Sequence, residues 1–243
     1  MKVSVVTVCY NAGDILEDTI KSVVSQTYGD MEYIIIDGAS SDGTVDVIKK
    51  YSDKITYWVS EPDKGIYDAM NKGILAATGD YIIFMNAGDR FANSSVVENV
   101  ASRLNGATVV TGRWHRCYKD GSMKIGSPSK IARLSVDMPI CHQATFVKLS
   151  YHKANPFDTD YKYSADYNFF YKAWKKGENF SVIDECIADF IVDHGASSDN
   201  VSASILERKL AWQGENNLFF RKMHLWYQIL RINSVKSVKR LIK

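Results

Sequence analysis

Four short segments set carboxylates or amides beside glycines: Cys9-Tyr10-Asn11-Ala12-Gly13, Asp37-Gly38-Ala39-Ser40-Ser41-Asp42-Gly43-Thr44, Ser60-Glu61-Pro62-Asp63-Lys64-Gly65 and Asn86-Ala87-Gly88-Asp89. Oxygens of these types suit hard divalent cations, and a carboxylate within reach of a hydroxyl can take its proton. Asp, Asn, Ser and Gly are also ordinary turn residues, so any one segment alone reads as a turn. Four in succession ask for more than turn chemistry. Further along, Ser164-Ala165-Asp166-Tyr167 places an acid in the first turn of an expected helix. The helix dipole keeps such an acid ionised, and the same dipole favours it for stability alone. Cys141-His142-Gln143 and His194, just before Gly195-Ala196-Ser197-Ser198, add imidazoles that read equally as functional groups or as satisfied structural histidines.

The elements that must carry these loops follow from hydrophobic pattern. Apolar runs at Val3–Val8, Tyr33–Ile36, Ile55–Val59, Tyr81–Met85 and Thr108–Val110 lack in–out alternation, as strands buried on both faces do. Between them, Asp14–Gln26, Ile66–Ala77 and Ser95–Leu104 carry apolar residues at helical spacing, the first opened by Asp14 and Glu17 in capping-box register. Alternating strands and helices predict βαβ units and a mainly parallel sheet. Ligands of such sheets bind outside the carboxyl ends of the strands, where all four polar segments fall. The pattern changes after residue 112. An Asp120-Gly121 hairpin signal and a Gly/Ser/Pro stretch at Gly126–Ser129 lead to an expected strand at Cys141–Val147. A helix over Ser164–Lys176, capped by Ser164 and closed by Gly177, precedes strands at Phe180–Ile183 and Ile187–Val192 and a helical region from Val201. The chain therefore divides into a ligand-binding half at 1–112, a second half of the same domain at 113–200, and a tail at 201–243.

Three ordered stretches carry a family resemblance: Val6-Thr7-Val8-Cys9-Tyr10-Asn11, then Glu32 through Thr44, then Gly79-Asp80-Tyr81-Ile82-Ile83-Phe84-Met85-Asn86-Ala87-Gly88-Asp89. Over roughly residues 2–195 the chain resembles the family-2 glycosyltransferases, bacterial surface-polysaccharide members in particular. The resemblance implies an α/β GT-A fold, a mainly parallel central sheet flanked by helices, and inverting transfer from a nucleotide-diphosphate sugar to a glycan acceptor, by resemblance lipid-linked. It implies that Thr7, Tyr10 and Asp37 grip the nucleotide, with Asn11, Ser40, Asn86 and Ala87 in the same donor site and Asp63 and Lys64 facing phosphate or sugar. Asp89 would hold Mg²⁺ or Mn²⁺, with His194 as a further ligand. Asp166 would be the catalytic base, with Asp160 as fallback, and His142 and Gln143 would face the acceptor. The chain departs from the family pattern at Asn86 and Gly88, where many members have Asp, and at Gly38, where many have a second acid. A nucleotide-sugar binder that has lost catalysis is the competing expectation. A nucleotidyltransferase ranks lower, since no Gly-rich phosphate loop opens with a basic residue.

Composition bounds these readings. With 243 residues, 46% of them hydrophobic, the chain can build one core without disulfides or metal. The formal charge of +2 predicts no strong pull on nucleic acid, but it conceals a split. From Asn216 onward the chain has seven basic residues and no acid, and residues 1–215 carry 23 basic against 28 acidic residues. The tail mixes those cations with Trp226, Tyr227, Leu230 and other apolar residues, the mark of an interfacial helix on anionic lipid. The alternative is a helix packed on the body or on a second subunit of a homodimer. Four scattered cysteines, no signal-peptide pattern and no apolar run of about 18 residues lead to the expectation of a cytoplasmic protein, peripheral on the inner face of the membrane.

Overall fold

The computed structural model of the chain describes residues 1–192, 201–208, 210–212, 226, 227 and 230. Its elements run β1 (Val3–Cys9), α1 (Leu16–Val24), β2 (Met31–Asp37), α2 (Thr44–Lys50), β3 (Tyr57–Ser60), α3 (Ile66–Ala76), β4 (Tyr81–Phe84), β5 (Arg90–Phe91) and α4 (Val96–Ala101). They continue through β6 (Val109–Cys117), β7 (Met123–Gly126), β8 (Thr145–Lys148), α5 (Leu149–Ala154), α6 (Ala165–Lys175), β9 (Phe180–Ile191) and α7 (Val201–Glu207).

One mixed sheet orders the strands β3-β2-β1-β4-β8-β6-β9-β5, with β7 added along β6. The expected parallel arrangement holds for β3, β2, β1 and β4. It then reverses: β8 pairs antiparallel with β4 and with β6, and β9 returns parallel to β6. Two reversals leave β6 and β9 pointing the same way as β1 and β4, so the carboxyl ends of all four share an edge.

The unbroken apolar runs are explained by burial on two faces. Val3 and Val5 of β1 face a core with Leu16, Ile20 and Val23 of α1 and Val96, Val97 and Val100 of α4. Val6 and Val8 face a second core with Met70 and Ile74 of α3 and the aromatic side of α6. Helix α3 lies close on the sheet, because a Cβ on Gly73 would stand 2.5 Å from Val6 Cγ1.

Local signals were overridden at several places. Helix α1 begins at Leu16 without a side-chain cap, because Glu17 turns outward to accept from Lys50 Nζ and Tyr51 OH, both at 2.7 Å. Only Thr145–Lys148 of the expected strand at 141–147 extends into the sheet, and His142–Ala144 forms a 3₁₀ turn. The two strands expected at 180–192 are a single irregular one, with register shifts at Thr111/Arg113 and Arg113/Trp114. A Cβ on Gly112 would lie 2.5 Å from Glu185 O, so the strands meet too closely there for any side chain. Ser164 sits at the start of α6, but its hydroxyl donates to Ser204 O of α7 (2.7 Å) instead of capping.

Candidate active site

A cleft of about 420 Å³ opens at the carboxyl ends of β1, β4 and β9, lined among others by Tyr10, Asn11, Asp63, Tyr67, Asn86, Ala87, Asp89 and Gln143. One wall is built by loop-to-loop bonding. Asn11, with a left-handed φ of 47°, accepts from Ser41 N at its side-chain oxygen (3.0 Å) and donates its own N–H to Ser40 Oγ (2.8 Å). Asp42 accepts from Gly13 N and Thr44 N (3.1 and 2.9 Å), so it serves the turn.

Asp37 is fully buried beneath this wall. Its carboxylate accepts from Ser40 N (2.9 Å), Ser60 Oγ (2.6 Å) and Ser40 Oγ, which ties the β2 loop to the end of β3. Asp37, expected to contact a nucleotide, is not among the residues that line the cleft; it positions Ser40, and Ser40 in turn positions Asn11. Thr7 likewise lies off the cleft lining. It is fully buried, and its hydroxyl donates to Met85 O (2.7 Å) and meets Tyr33 OH (3.0 Å), because residue 7 faces inward from β1.

Tyr10 is 66% exposed and lies open along the cleft. Asp63 reaches in beside it from the β3 loop, where Gly65 N donates to Asp63 Oδ1 (2.8 Å). The two account for the family departure at residue 38. A Cβ on Gly38 would stand 2.4 Å from Asp63 Oδ2 and 3.3 Å from the Tyr10 ring, so Asp63 fills the space a second acid would take. Lys64 is exposed beside Asp63, off the cleft lining.

The turn after β4 supplies two oxygens of a different character. Thr19 accepts from Gly88 N (2.9 Å) and donates to Asp89 O (2.8 Å), which holds the turn against α1. Gly88 has φ 98°, a conformation that disfavours the Asp that the family resemblance leads one to expect there. Asp89 is buried, and burial pushes its carboxyl up to about 7 even though Ile191 N–H (3.1 Å) and the Gln143 side chain hydrogen-bond it. Among the described residues no ion pair involves it. Beside it, Asn86 Oδ1 is buried and has no hydrogen-bond partner among the described residues. A buried carboxyl without a cation and an orphaned amide oxygen in one cleft fit a hard, oxygen-seeking cation. The described residues hold no cluster of three His, Cys, Asp or Glu suited to a metal, so such an ion would take its remaining ligands from substrate or solvent. His194 lies outside the described residues.

Asp166 stands behind Tyr67, whose hydroxyl donates to it (3.2 Å) and whose ring lines the cleft. Burial raises the Asp166 carboxyl, against Tyr167 N–H, Arg208 and the Tyr67 hydroxyl. Asp160 is exposed and does not line the cleft. His142 does not line the cleft: its ring is buried among Phe84, Phe157 and Phe170, and burial pushes it down to about 4. Gln143 does reach the cleft, beside Asp89.

Sequence reasoning missed Lys162, Tyr163, Phe190 and Ile191, which complete the lining. The first two lead into α6 just ahead of Asp166, and the last two end β9. The expected strand at Ile187–Val192 already ended there, so the signal was present, but only the parallel pairing of β9 with β6 brings that end to the cleft.

Comparisons with known proteins agree with this geometry. The family model for glycosyl transferase family 2 matches residues 4–180. An uncharacterised glycosyltransferase of Mycobacterium tuberculosis H37Rv is 36% identical over 178 residues, covering 70% of this chain and 68% of its own. A PGL/p-HBAD biosynthesis glycosyltransferase of Mycobacterium bovis BCG is 27% identical over 173 residues, 68% of this chain and 67% of that one. Among solved structures, Staphylococcus aureus TarS 1–349 with UDP-GlcNAc superposes with a TM-score of 0.69 at 17% identity, covering 93% of this chain and 70% of that one. The mannosyltransferase of Pyrobaculum calidifontis with GDP-Man and Mn²⁺ gives 0.67 at 16%, covering 92% and 68%. The mixed sheet is the GT-A fold, and the chain belongs to glycosyltransferase family 2.

Proposed function

We propose that the chain moves a sugar, with inversion, from a nucleotide-diphosphate donor to a hydroxyl of a glycan acceptor carried on lipid, at the inner face of the cytoplasmic membrane. The observation that carries this reading is the pairing of Asp89 with the orphaned Asn86 oxygen, set between an exposed aromatic at one end of the cleft and the Tyr67–Asp166 pair at the other. Tyr10 offers the base a flat surface, and Asp63 and Asn11 offer its polar edge or ribose their oxygens. Asp89 and Asn86 would hold Mg²⁺ or Mn²⁺ against the diphosphate. The ion would supply Lewis-acid neutralisation of the departing charge.

Asp166 takes the proton of the acceptor hydroxyl. Its raised carboxyl makes it a stronger base than an ordinary aspartate, and the Tyr67 hydroxyl aims it. Lys162 and Tyr163, next to α6, form the acceptor side of the wall. In support of the reading, the solved structures that share the fold hold UDP-GlcNAc or GDP-Man with Mn²⁺, and the mycobacterial relative is named for PGL/p-HBAD biosynthesis.

The basic tail, most of which lies outside the described residues, brings the chain to anionic lipid; Trp226, Tyr227 and Leu230 are exposed. No helix among the described residues is long and apolar enough to cross a membrane. The reading is tested by assaying a panel of nucleotide sugars with Mn²⁺ for turnover by the wild type, Asp89→Asn and Asp166→Asn. Loss in both variants is expected. Near-wild-type transfer by either one removes that residue from the mechanism.

A further inference from the structure

Beyond the cleft, the β6–β7 hairpin concentrates a charge opposite to that of the body. Residues 116–130 contain Arg116, Lys119, Lys124 and Lys130 against the single acid Asp120, whereas the rest of residues 1–215 carries 19 basic against 27 acidic residues. The hairpin is also built at a cost. Arg116 stands directly opposite Lys124 across the antiparallel pair, and like charges in that position destabilise a sheet. The strain is partly relieved because Arg116 lies over the Trp114 ring (5.7 Å) and Lys124 over the Tyr118 ring (5.6 Å). A facing anion would relieve the rest.

The other face of β7 is apolar and open. Met123 and Ile125 alternate with Lys124 and are 55% and 67% exposed, an arrangement for which the fold offers no internal reason. The hairpin is nonetheless firmly set. A Cβ on Gly126 would lie 2.3 Å from Trp114 Cε2, so β7 lies flat on that indole. It is also next to the cleft: Val192 N donates to Cys117 O (3.0 Å), one residue beyond the cleft-lining Phe190 and Ile191.

We propose that the β6–β7 hairpin is a docking surface for an anionic lipid bilayer, in which Arg116, Lys119, Lys124 and Lys130 meet headgroups while Met123 and Ile125 enter the acyl boundary. Arg116 and Lys124 project from one face of the ribbon and Met123 and Ile125 from the other. It is therefore the free edge of β7, paired only with β6 among the described residues, that presents both sets to one bilayer. A soluble polyanion has no use for the apolar pair. Because the hairpin continues the edge on which the cleft opens, docking would bring the cleft to the bilayer. That orientation rests on the proposed lipid-borne acceptor; the docking itself does not.

The experiment is flotation of the full chain with phosphatidylglycerol–phosphatidylcholine vesicles and with pure phosphatidylcholine. The wild type is compared with Arg116→Glu/Lys124→Glu and with Met123→Ser/Ile125→Ser, each checked for an unchanged thermal melt. Partition to anionic vesicles is expected to fall roughly thirtyfold for the charge pair and roughly tenfold for the apolar pair, with little binding to phosphatidylcholine. Unchanged flotation of both variants would overturn the proposal. So would a wild type that binds polyglutamate or DNA as tightly as vesicles with no loss in the apolar variant, which would make the hairpin a soluble-polyanion site. A wild-type dimer that both variants break, without loss of flotation, would assign the β7 edge to a second copy. Turnover of soluble donor separates the two readings: a chain that floats through the hairpin but turns over no nucleotide sugar loses the transferase reading alone, and one that transfers without floating keeps the transfer but loses the hairpin docking together with the tail's hold on lipid.

Discussion

Two buried carboxylates, at opposite ends of the same sheet, have opposite fates. Glu32, at the amino end, accepts from Ser4 Oγ, Thr78 N and Oγ1, Gly79 N and Lys2 Nζ. Burial works upward on it, yet Lys2, Ser4 and Thr78 outweigh burial and hold it at about 2. Asp89, at the carboxyl end, has one backbone N–H and one amide, no cation among the described residues, and is pushed up to about 7. A carboxylate that serves the fold is satisfied by the fold. One whose partners are supplied incompletely is waiting for something from outside.

The sharpest way to test this contrast is to neutralise each acid. Asp89→Asn should lower turnover about a thousandfold or more while raising the melting temperature by a few degrees at pH 8 without divalent cation. Glu32→Gln should do the reverse, costing ~2–4 kcal/mol of stability and leaving turnover per folded molecule intact. Kinetics and melting curves of both variants read the outcome; a destabilised Asp89→Asn would end the comparison.

The acceptor side should follow with a loss of about a hundredfold or more in kcat for Asp166→Asn, the donor KM unchanged. In Tyr67→Phe the loss is smaller. The Tyr67 hydrogen bond lowers the Asp166 carboxyl, so its removal should move the acidic limb of the kcat profile to higher pH.

Proton linkage gives a third, milder test. Burial lifts Asp89 from 3.8 to about 7, so the folded chain keeps a proton that the unfolded chain releases. In the absence of divalent cation its contribution to stability is full below about 4 and lost as pH rises through about 7. Because a cation must displace that proton, Mn²⁺ affinity measured by calorimetry should rise about tenfold per pH unit up to about 7 and then level. Glu32, lowered from 4.5 to about 2, contributes above about 4.5 and loses that contribution as pH falls toward 2. The smallest effect is expected for Gly38→Ala. Its Cβ would push Asp63 aside, which should raise the donor KM several-fold with kcat unchanged; a wild-type KM would mean that Asp63 is not at the donor.

Much of the molecule could be read before its structure. The four parallel strands, the helices against them and the placement of Tyr10, Asp63, Asn86 and Asp89 at the strand ends follow from local pattern and turn chemistry. The places where the structure departs from local pattern have a common physical origin. Thr7 and Asp37 belong to the same motifs as the true lining residues, but strand alternation and loop bonding turn them inward. His142 and Gln143 are neighbours, yet the 3₁₀ turn sends one into an aromatic cluster and the other into the cleft. Ser164 has the composition of a cap, and tertiary packing gives its hydroxyl to Ser204 instead.

By itself the sequence determined the half of the sheet whose neighbours are close in the chain, and the family to which its motifs belong, because short-range periodicity and ordered motifs are properties of the chain. The tertiary structure alone decided the return of β6 and β9 to the same edge, the exchange of Asp63 for a side chain at residue 38, and the contrast between Glu32 and Asp89. Each depends on which distant groups surround a given atom, and desolvation and pairing are set by those neighbours and not by the residue's own identity.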